Sequence, residues 1–295
     1  MQTWVSFFSG KGLQYLEQNI ALALAEDDRE LTAEGLFAPG DTLRATIRAK
    51  ETTPVVGLPL IGLVLKQLTR QFRWRSFVRE GAFVSPMTIA EITAPAVPLL
   101  KAERVILNYI CHLSGIAKLT ANYVQALKGT GVRLLDTRKT TPGLRWLEKY
   151  AVLMGGGCNH RMDLAQMLML KDNHIDAAGS ISQALASLRQ AYKPCPPIEV
   201  ECRTLAHVRE AVAGHANRIM LDNMNREQLA QALALIPKEQ EVEISGGVRL
   251  DNLRELAEIG PRHADFISVG RLTHSAAASD FSMTLANNDK GKAMA

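Results

Sequence analysis

Residues 132–175 read VRLLDTRKTTPGLRWLEKYAVLMGGGCNHRMDLAQMLMLKDNHI, and this stretch decides the fold class. Two short apolar runs, 132–135 and 167–170, each end in polar, mostly basic residues. Asp136, Arg138 and Lys139 follow the first; Lys171, Asp172, Asn173 and His174 follow the second. Continuous apolar runs suit strands buried on both faces, and the carboxyl end of such a strand is where an α/β barrel displays its chemistry. Between the runs, residues 143–154 place Leu144, Leu147, Tyr150 and Ala151 on one helical face. The helix stops at a glycine triplet, residues 155–157, that opens onto Asn159, His160 and Arg161. Basic and imidazole groups converging at strand ends predict a site for a small polyanion.

Downstream, short apolar runs keep alternating with helical segments: IEVE at 198–201, RIML at 218–221, VEIS at 242–245 and FISV at 266–269. Such alternation predicts βα units around a parallel sheet, and several in succession favour a barrel over a sandwich. Upstream the elements are mixed. A helix is expected at 13–25, strands at 42–49 and 71–78, and one or two helices over 103–127, interrupted near Ser114 and Gly115. The second strand, QFRWRSFV, alternates apolar and basic residues; a half-solvated sheet explains it better than a nucleic-acid surface, since no glycine-aromatic RNA-binding motif accompanies it.

Composition narrows the class further. In 295 residues, 47% are hydrophobic, enough for a sizeable core, and the net charge of +4 is too small to indicate nucleic acid by itself. No run of about 18 uncharged apolar residues exists, so no membrane span is expected. The first residues lack the charge pattern of a signal peptide. Four cysteines without metal-ligand spacing read as free thiols of a reducing, cytoplasmic setting.

The later strand ends carry a second chemistry. Glu199 and Glu201 are one pleat apart and share a strand face. Asp222 and Asn223 end the next strand, Ser245, Gly246 and Gly247 the one after, and Gly270 the last. Glycine-rich turns after the last strands of a barrel bind phosphate through backbone N–H groups. Acidic groups beside them suit a phosphorylated, metal-associated substrate.

On these residues the chain resembles the nicotinate-nucleotide pyrophosphorylase (carboxylating), or quinolinate phosphoribosyltransferase, family. The matching blocks are Glu103-Arg104 with Asn108, LSGIA at 113–117, LLDTRKTTPGLR at 134–145, GGGCNHR at 155–161 and KDNHI at 171–175, followed by IEVE, MLDN, SGGV and DFISVGRLTH up to residue 274. The first hundred residues match mainly in outline, with EDDRELT at 26–32 departing from the family pattern. The resemblance implies an α/β fold: an N-terminal α/β sandwich domain, 1–105, joined by the C-terminal tail 276–295, and an incomplete, open α/β barrel, 106–275. It implies an enzyme, a decarboxylating pentosyltransferase. Quinolinate would attack C1 of phosphoribosyl pyrophosphate, giving nicotinate mononucleotide, pyrophosphate and CO2 for NAD biosynthesis.

By resemblance, Arg104, Arg138, Lys139, His160, Arg161 and Lys171 clamp the two quinolinate carboxylates, a task for which arginine's planar fork is suited. Lys139 and Lys171 are the candidates for governing decarboxylation. Glu201 and Asp222 are expected to stabilise the ribosyl cation and to meet Mg2+, directly or through water or substrate; Glu199 shares the strand face of Glu201, but the family match favours Glu201. Ser245, Gly246, Gly247 and Gly270 are expected at the 5-phosphate. His274 is expected near the pyrophosphate or as a helix cap. The family also implies a homodimer, or a higher oligomer, with Arg104 entering the neighbour's site, and no nucleic-acid or membrane partner. A molybdenum-transport-associated paralogue shares much of the pattern, with related phosphoribosyl transfer or binding. A Schiff-base lyase using Lys171 would need a desolvated amine, whereas Asp172, Asn173 and His174 surround it. A phosphoribosyl sensor would not need Glu201 and Asp222.

Overall fold

The structure, a computed structural model, describes residues 4–260 and 262–286. The end of the expected tail, 287–295, lies outside the described residues. The elements run α1 (Trp4–Phe7), α2 (Lys11–Glu26), α3 (Leu31–Leu36), β1 (Thr42–Ala49), β2 (Thr53–Pro54), α4 (Leu58–Leu68), β3 (Arg73–Ser76), β4 (Phe83–Val84), β5 (Met87–Pro95) and α5 (Ala96–Ala126). After them come β6 (Arg133–Leu135), α6 (Arg145–Met154), β7 (Leu168–Leu170), α7 (Asp172–Ala178), α8 (Ile181–Ala191), β8 (Ile198–Cys202) and α9 (Leu205–Ala213). The last are β9 (Arg218–Asp222), α10 (Arg226–Leu235), β10 (Glu241–Ser245), α11 (Leu253–Ala257), β11 (Phe266–Ser268), α12 (Arg271–His274) and β12 (Phe281–Leu285).

Two compact units form: Met1–Leu119 with Thr141–Gly155 and Ser275–Ala295, and Thr120–Thr140 with Gly156–His274. The boundary expected at 105 therefore moves to the last third of α5. Residues 141–155, expected within the barrel domain, belong to the first unit.

The first unit is built on an antiparallel sheet in the order β12-β1-β5-β3. Alternation along β1 buries Leu43, Ala45, Ile47 and Ala49 and leaves Thr42, Arg44 and Arg48 in solvent, the period of a sheet with one wet face. The basic strand β3 behaves as half-solvated sheet: Arg75 lies 3.6 Å from Glu91 on β5, and Trp74 packs on Gly62 of α4. The expected break in α5 does not occur. Gly115 sits inside an unbroken 31-residue helix, where a Cβ would lie 2.0 Å from the carbonyl oxygen of Ala277. The glycine allows close approach of the C-terminal segment; it does not stop the helix. Ser279 N–H donates to Cys111 O at 2.9 Å beside it, and β12 then completes the sheet edge.

α6 also answers to this unit. Its apolar face buries Leu147, Tyr150 and Ala151. Tyr150 meets Trp4 and Phe7 at ring-centroid distances of 4.9 and 5.4 Å, and Trp146 covers Gly12 of α2. Glu80 accepts from Gly57 and Leu58 N–H at 2.7 and 2.9 Å, at the start of α4. Burial pushes its carboxyl up to about 7 against those two bonds.

The second unit holds six parallel strands in the order β6-β11-β10-β9-β8-β7. All five residues of β8 are buried, as expected of a parallel strand covered on both faces. Leu134, Val200, Leu221, Ile244 and Ile267 belong to this core, and truncating any one to alanine would cost about 2–5 kcal/mol. β6 and β7 end the ladder without pairing to each other. Among the described residues only an isolated bridge, Leu135 to Cys158, extends the sheet beyond β6. The barrel is incomplete at this seam, and α6, which follows β6 in sequence, is in the other unit.

Candidate active site

Residues from or just after all six parallel strands line one cavity of about 250 Å³, so the sheet curls around its own carboxyl ends. Thr137, Arg138 and Lys139 follow β6; His160 and Arg161 come from the loop before β7; Met169 and Lys171 come from β7 and its end. Glu201 of β8, Met220 and Asp222 of β9, Glu243 and Ser245 of β10 and Ser268 of β11 complete the wall. Eight expected site residues are thereby gathered: Arg138, Lys139, His160, Arg161, Lys171, Glu201, Asp222 and Ser245.

The basic side is fixed by its backbone. Lys139 N–H donates to Thr137 Oγ1 at 3.0 Å, and the Thr273 hydroxyl donates to Lys139 O at 2.7 Å. Asp136, fully buried, ties the glycine-triplet loop to the end of β6. Its Oδ1 accepts from His160 N–H at 2.8 Å and its Oδ2 from the Asn159 amide at 2.6 Å. Arg161 is steadied by an Nη1 bond to Met167 O at 2.8 Å. Its guanidinium pKa is lowered first by burial and then by the like charge of Arg138. Arg138 Nε is buried with no hydrogen-bond partner among the described residues. Two adjacent guanidiniums with unspent donors in a half-buried wall are prepared for an anion with more than one negative oxygen.

The acidic side faces a different partner. Arg203, just past β8, places Nη2 2.9 Å from Glu201 Oε1, Nη1 2.8 Å from Asp172 Oδ2 and Nε 3.6 Å from Asp222 Oδ2. The Asp172 carboxyl is lowered by Asn173 N–H first and by Arg203 next. Three carboxylates converging on one positive group offer the hard oxygen donors that suit Mg2+.

Beneath them lies a buried cluster. His160 Nε2 is 2.9 Å from Glu199 Oε2 and 3.5 Å from Glu243 Oε2, and the ligand atoms of the three lie within 4.8 Å of one another. Arg218 Nη1 stands 3.6 Å from Glu243. Burial, then Glu199, pushes the Glu243 carboxyl well above the usual range, with Ser268 and Arg218 opposing. The cluster has a metal-ligand composition, but the imidazole is spoken for. Arg161 N–H donates to Nδ1 at 2.7 Å, which puts the proton of the neutral ring on Nε2. A cation would need the lone pair that this tautomer lacks.

The glycine turns sit as expected at the strand ends. Gly246 has φ +90°, and a Cβ there would be 2.2 Å from Asn223 Oδ1, so only glycine fits. Gly247, φ +63°, opens to empty space. Gly270 lies against Lys139, Thr137 and His274, which brings His274 beside the basic wall at the end of the short α12. Arg104 is elsewhere, exposed on α5 in the first unit, where it lines another cavity with Asn108, Tyr109 and His112. Asp136 and Asp172 stand at the strand ends in the sequence reading but have no site role there, and Arg203 and Glu243 are not singled out. Glu243 carried a signal, since a lone charge inside an apolar strand run must face an interior partner. Arg203 carried none, because its three partners end three different strands.

Comparison with known proteins agrees with this geometry across nearly the whole chain. Residues 116–284 match the family model for the quinolinate phosphoribosyl transferase C-terminal domain, and residues 30–114 that for its N-terminal domain. The chain is similar to the human nicotinate-nucleotide pyrophosphorylase [carboxylating], 39% identical over 288 residues covering 93% of this chain and 95% of that one. It is similar to the probable enzyme of that name from Bacillus subtilis, 47% identical over 261 residues, 88% and 89% of the two chains. Among solved structures, NadC from Streptococcus pyogenes superposes with a TM-score of 0.86 at 37% identity, over 94% of this chain and 98% of that one. With both domain models matched and relatives 39–47% identical over about nine-tenths of its length, this chain belongs to the quinolinate phosphoribosyl transferase family.

Proposed function

We propose that this chain transfers the phosphoribosyl group of phosphoribosyl pyrophosphate to quinolinate and decarboxylates the product, giving nicotinate mononucleotide, pyrophosphate and CO2. The observation that carries this reading is the basic wall. Arg138 and Arg161 hold like charges close together with a buried Nε unspent, beside Lys139 and Lys171 in the same cavity. Two adjacent carboxylates on a planar ring supply the charge and the acceptors that such a wall lacks.

The pyridine nitrogen, held by this wall, forms a bond to C1 of the ribose while the C1–oxygen bond to pyrophosphate breaks. Positive charge develops on the ribose ring, and Glu201 and Asp222, preplaced on the opposite wall, stabilise it. A magnesium ion carried with the pyrophosphate group would be held at Glu201 and Asp222 and would neutralise charge on the leaving group. The turns at Ser245–Gly247 and Gly270 offer backbone N–H groups to the 5-phosphate, with His274 beside the departing pyrophosphate. Once the nitrogen is a pyridinium, the C2–carboxylate bond breaks, CO2 leaves, and the ring holds the electron pair at C2 until a proton takes it. Lys139 and Lys171 are the cations placed to govern that step.

The assay is direct: incubate the purified chain with quinolinate, phosphoribosyl pyrophosphate and Mg2+ and measure nicotinate mononucleotide and CO2. Activity is expected to vanish in excess EDTA and return with Mg2+ or Mn2+. Nicotinate, lacking the 2-carboxylate, should be used at least about 10³-fold less efficiently, because buried donors would be left unpaired. Comparable rates with nicotinate would remove the carboxylating assignment.

The working unit in this proposal is a cytoplasmic homodimer, or a higher oligomer built from it, in which Arg104 completes the neighbour's clamp. No helix of the described residues is long and apolar enough to cross a membrane. Mixing inactive Arg104→Ala and Lys139→Ala chains under subunit exchange should restore roughly a quarter of wild-type activity by random pairing. A mixture that stays dead after confirmed exchange would show that Arg104 acts within its own chain.

A further inference from the structure

We infer that Arg203 is the resident counter-cation of the acidic rim, holding Asp172, Glu201 and Asp222 together and competing with the divalent cation for the same oxygens. The inference rests on the proposed function for the identity of that cation. Asp172 follows β7, Glu201 lies on β8 and Asp222 ends β9, so three negative groups from three neighbouring strand ends meet in one place. Unscreened, they would repel one another. One guanidinium answers all three, at 2.8, 2.9 and 3.6 Å. Arginine can do this because its planar fork carries five donors, where a lysine offers one compact point charge. The Asn223 amide, donating to Asp222 Oδ2 at 2.8 Å, adds a neutral contact to the same carboxylate.

The arrangement neutralises only one of three negative charges, so the rim still attracts a divalent cation. It also occupies carboxylate oxygens that such a cation, or its water shell, must reach. The Arg203 side chain is 48% exposed, which leaves it room to swing into solvent when the oxygens are claimed. The free protein is therefore kept ordered at the rim while its affinity for the bare metal is held down, and metal arriving together with a pyrophosphate group is favoured over metal alone.

The test is Mn2+ binding to the free full-length chain, followed by electron paramagnetic resonance, for wild type, Arg203→Gln, Arg203→Lys and the double variant Arg203→Gln/Glu201→Gln. Arg203→Gln should bind Mn2+ roughly five- to tenfold more tightly, the effect of removing one charge at a half-exposed site. Arg203→Lys, which keeps the charge but loses the fork, should bind Mn2+ between the wild-type and Arg203→Gln levels, and the double variant should lose the gain. Equal or weaker binding by Arg203→Gln overturns the inference. It would mean that the guanidinium is indifferent to the metal or organises the acids for it. A gain that survives in the double variant also overturns it, because the metal would then sit away from Glu201. Turnover of quinolinate and phosphoribosyl pyrophosphate by wild type, measured in parallel, tests the proposed function separately: it can stand while the role of Arg203 falls.

Discussion

Glu199 and Glu201 are the same residue type on the same face of the same strand, roughly 7 Å apart along β8, and they live in different chemical worlds. Glu201 lines the cavity and meets a half-exposed arginine at its rim. Glu199 is fully buried, with His160 Nε2 at 2.9 Å and Glu243 beside it. One pleat thus separates a carboxylate that a ligand can use from one that the protein uses on itself. Depth, more than residue identity, assigns the role: at the rim water and ligand compensate a charge, whereas on the floor only fixed neighbours can.

Arg161→Ala removes a donor fork whose backbone N–H is held by His160 Nδ1, itself on a loop tied to Asp136, so the fold should survive while kcat/KM for quinolinate falls about 10³-fold. Steady-state kinetics with a melting curve checks this; a loss below tenfold would mean that the wall does not hold the substrate. Glu201→Gln should cost about 10²-fold in turnover with little change in melting temperature if, as proposed, this rim carboxylate stabilises the developing ribosyl charge. Glu199→Ala should do the opposite. It removes the carboxylate that stands 2.9 Å from His160 Nε2 and opens a void, destabilising the chain by about 1–3 kcal/mol in denaturant unfolding. If Glu199→Ala were stable and merely slow, floor and rim would not be distinct.

The smallest effect concerns pH. Glu243 has a folded pKa raised above its unfolded value, so its contribution to stability is fully present below about pH 4.5 and is lost as pH rises through the higher folded value. Denaturant midpoints of wild type and Glu243→Gln, measured side by side from pH 4.5 upward, should move in favour of the variant. A constant difference across that range would show that the floor carboxyl titrates normally.

Much of this was legible in the residues. Short apolar runs marked all six parallel strands, ending in charged residues or in glycine turns, since a strand buried on both faces is mostly apolar and a charge inside it, such as Glu199 or Glu243, needs a fixed partner. The strand expected over residues 42–49 is β1, with observed limits Thr42 and Ala49. The motif residues after the strands could be grouped as one basic and one acidic wall, because parallel strands of a barrel bring their carboxyl ends to the same side.

What the sequence could not contain was the identity of each partner. Amphipathic spacing in α6 announced a buried face, but only the fold set that face against Trp4, Phe7 and α2 in the first unit. Gly115 read as a break because glycine costs a helix stability, yet tertiary contact decided, since Ala277 needs the space a side chain would fill. His160 read as a clamp residue from its motif, while the bond from Arg161 N–H fixed its tautomer and turned Nε2 toward the floor acids. Arg203 was silent for the same physical reason. Local periodicity records which side of an element is wet or dry; hydrogen-bond partners drawn from three separate strand ends exist only after the sheet has curled.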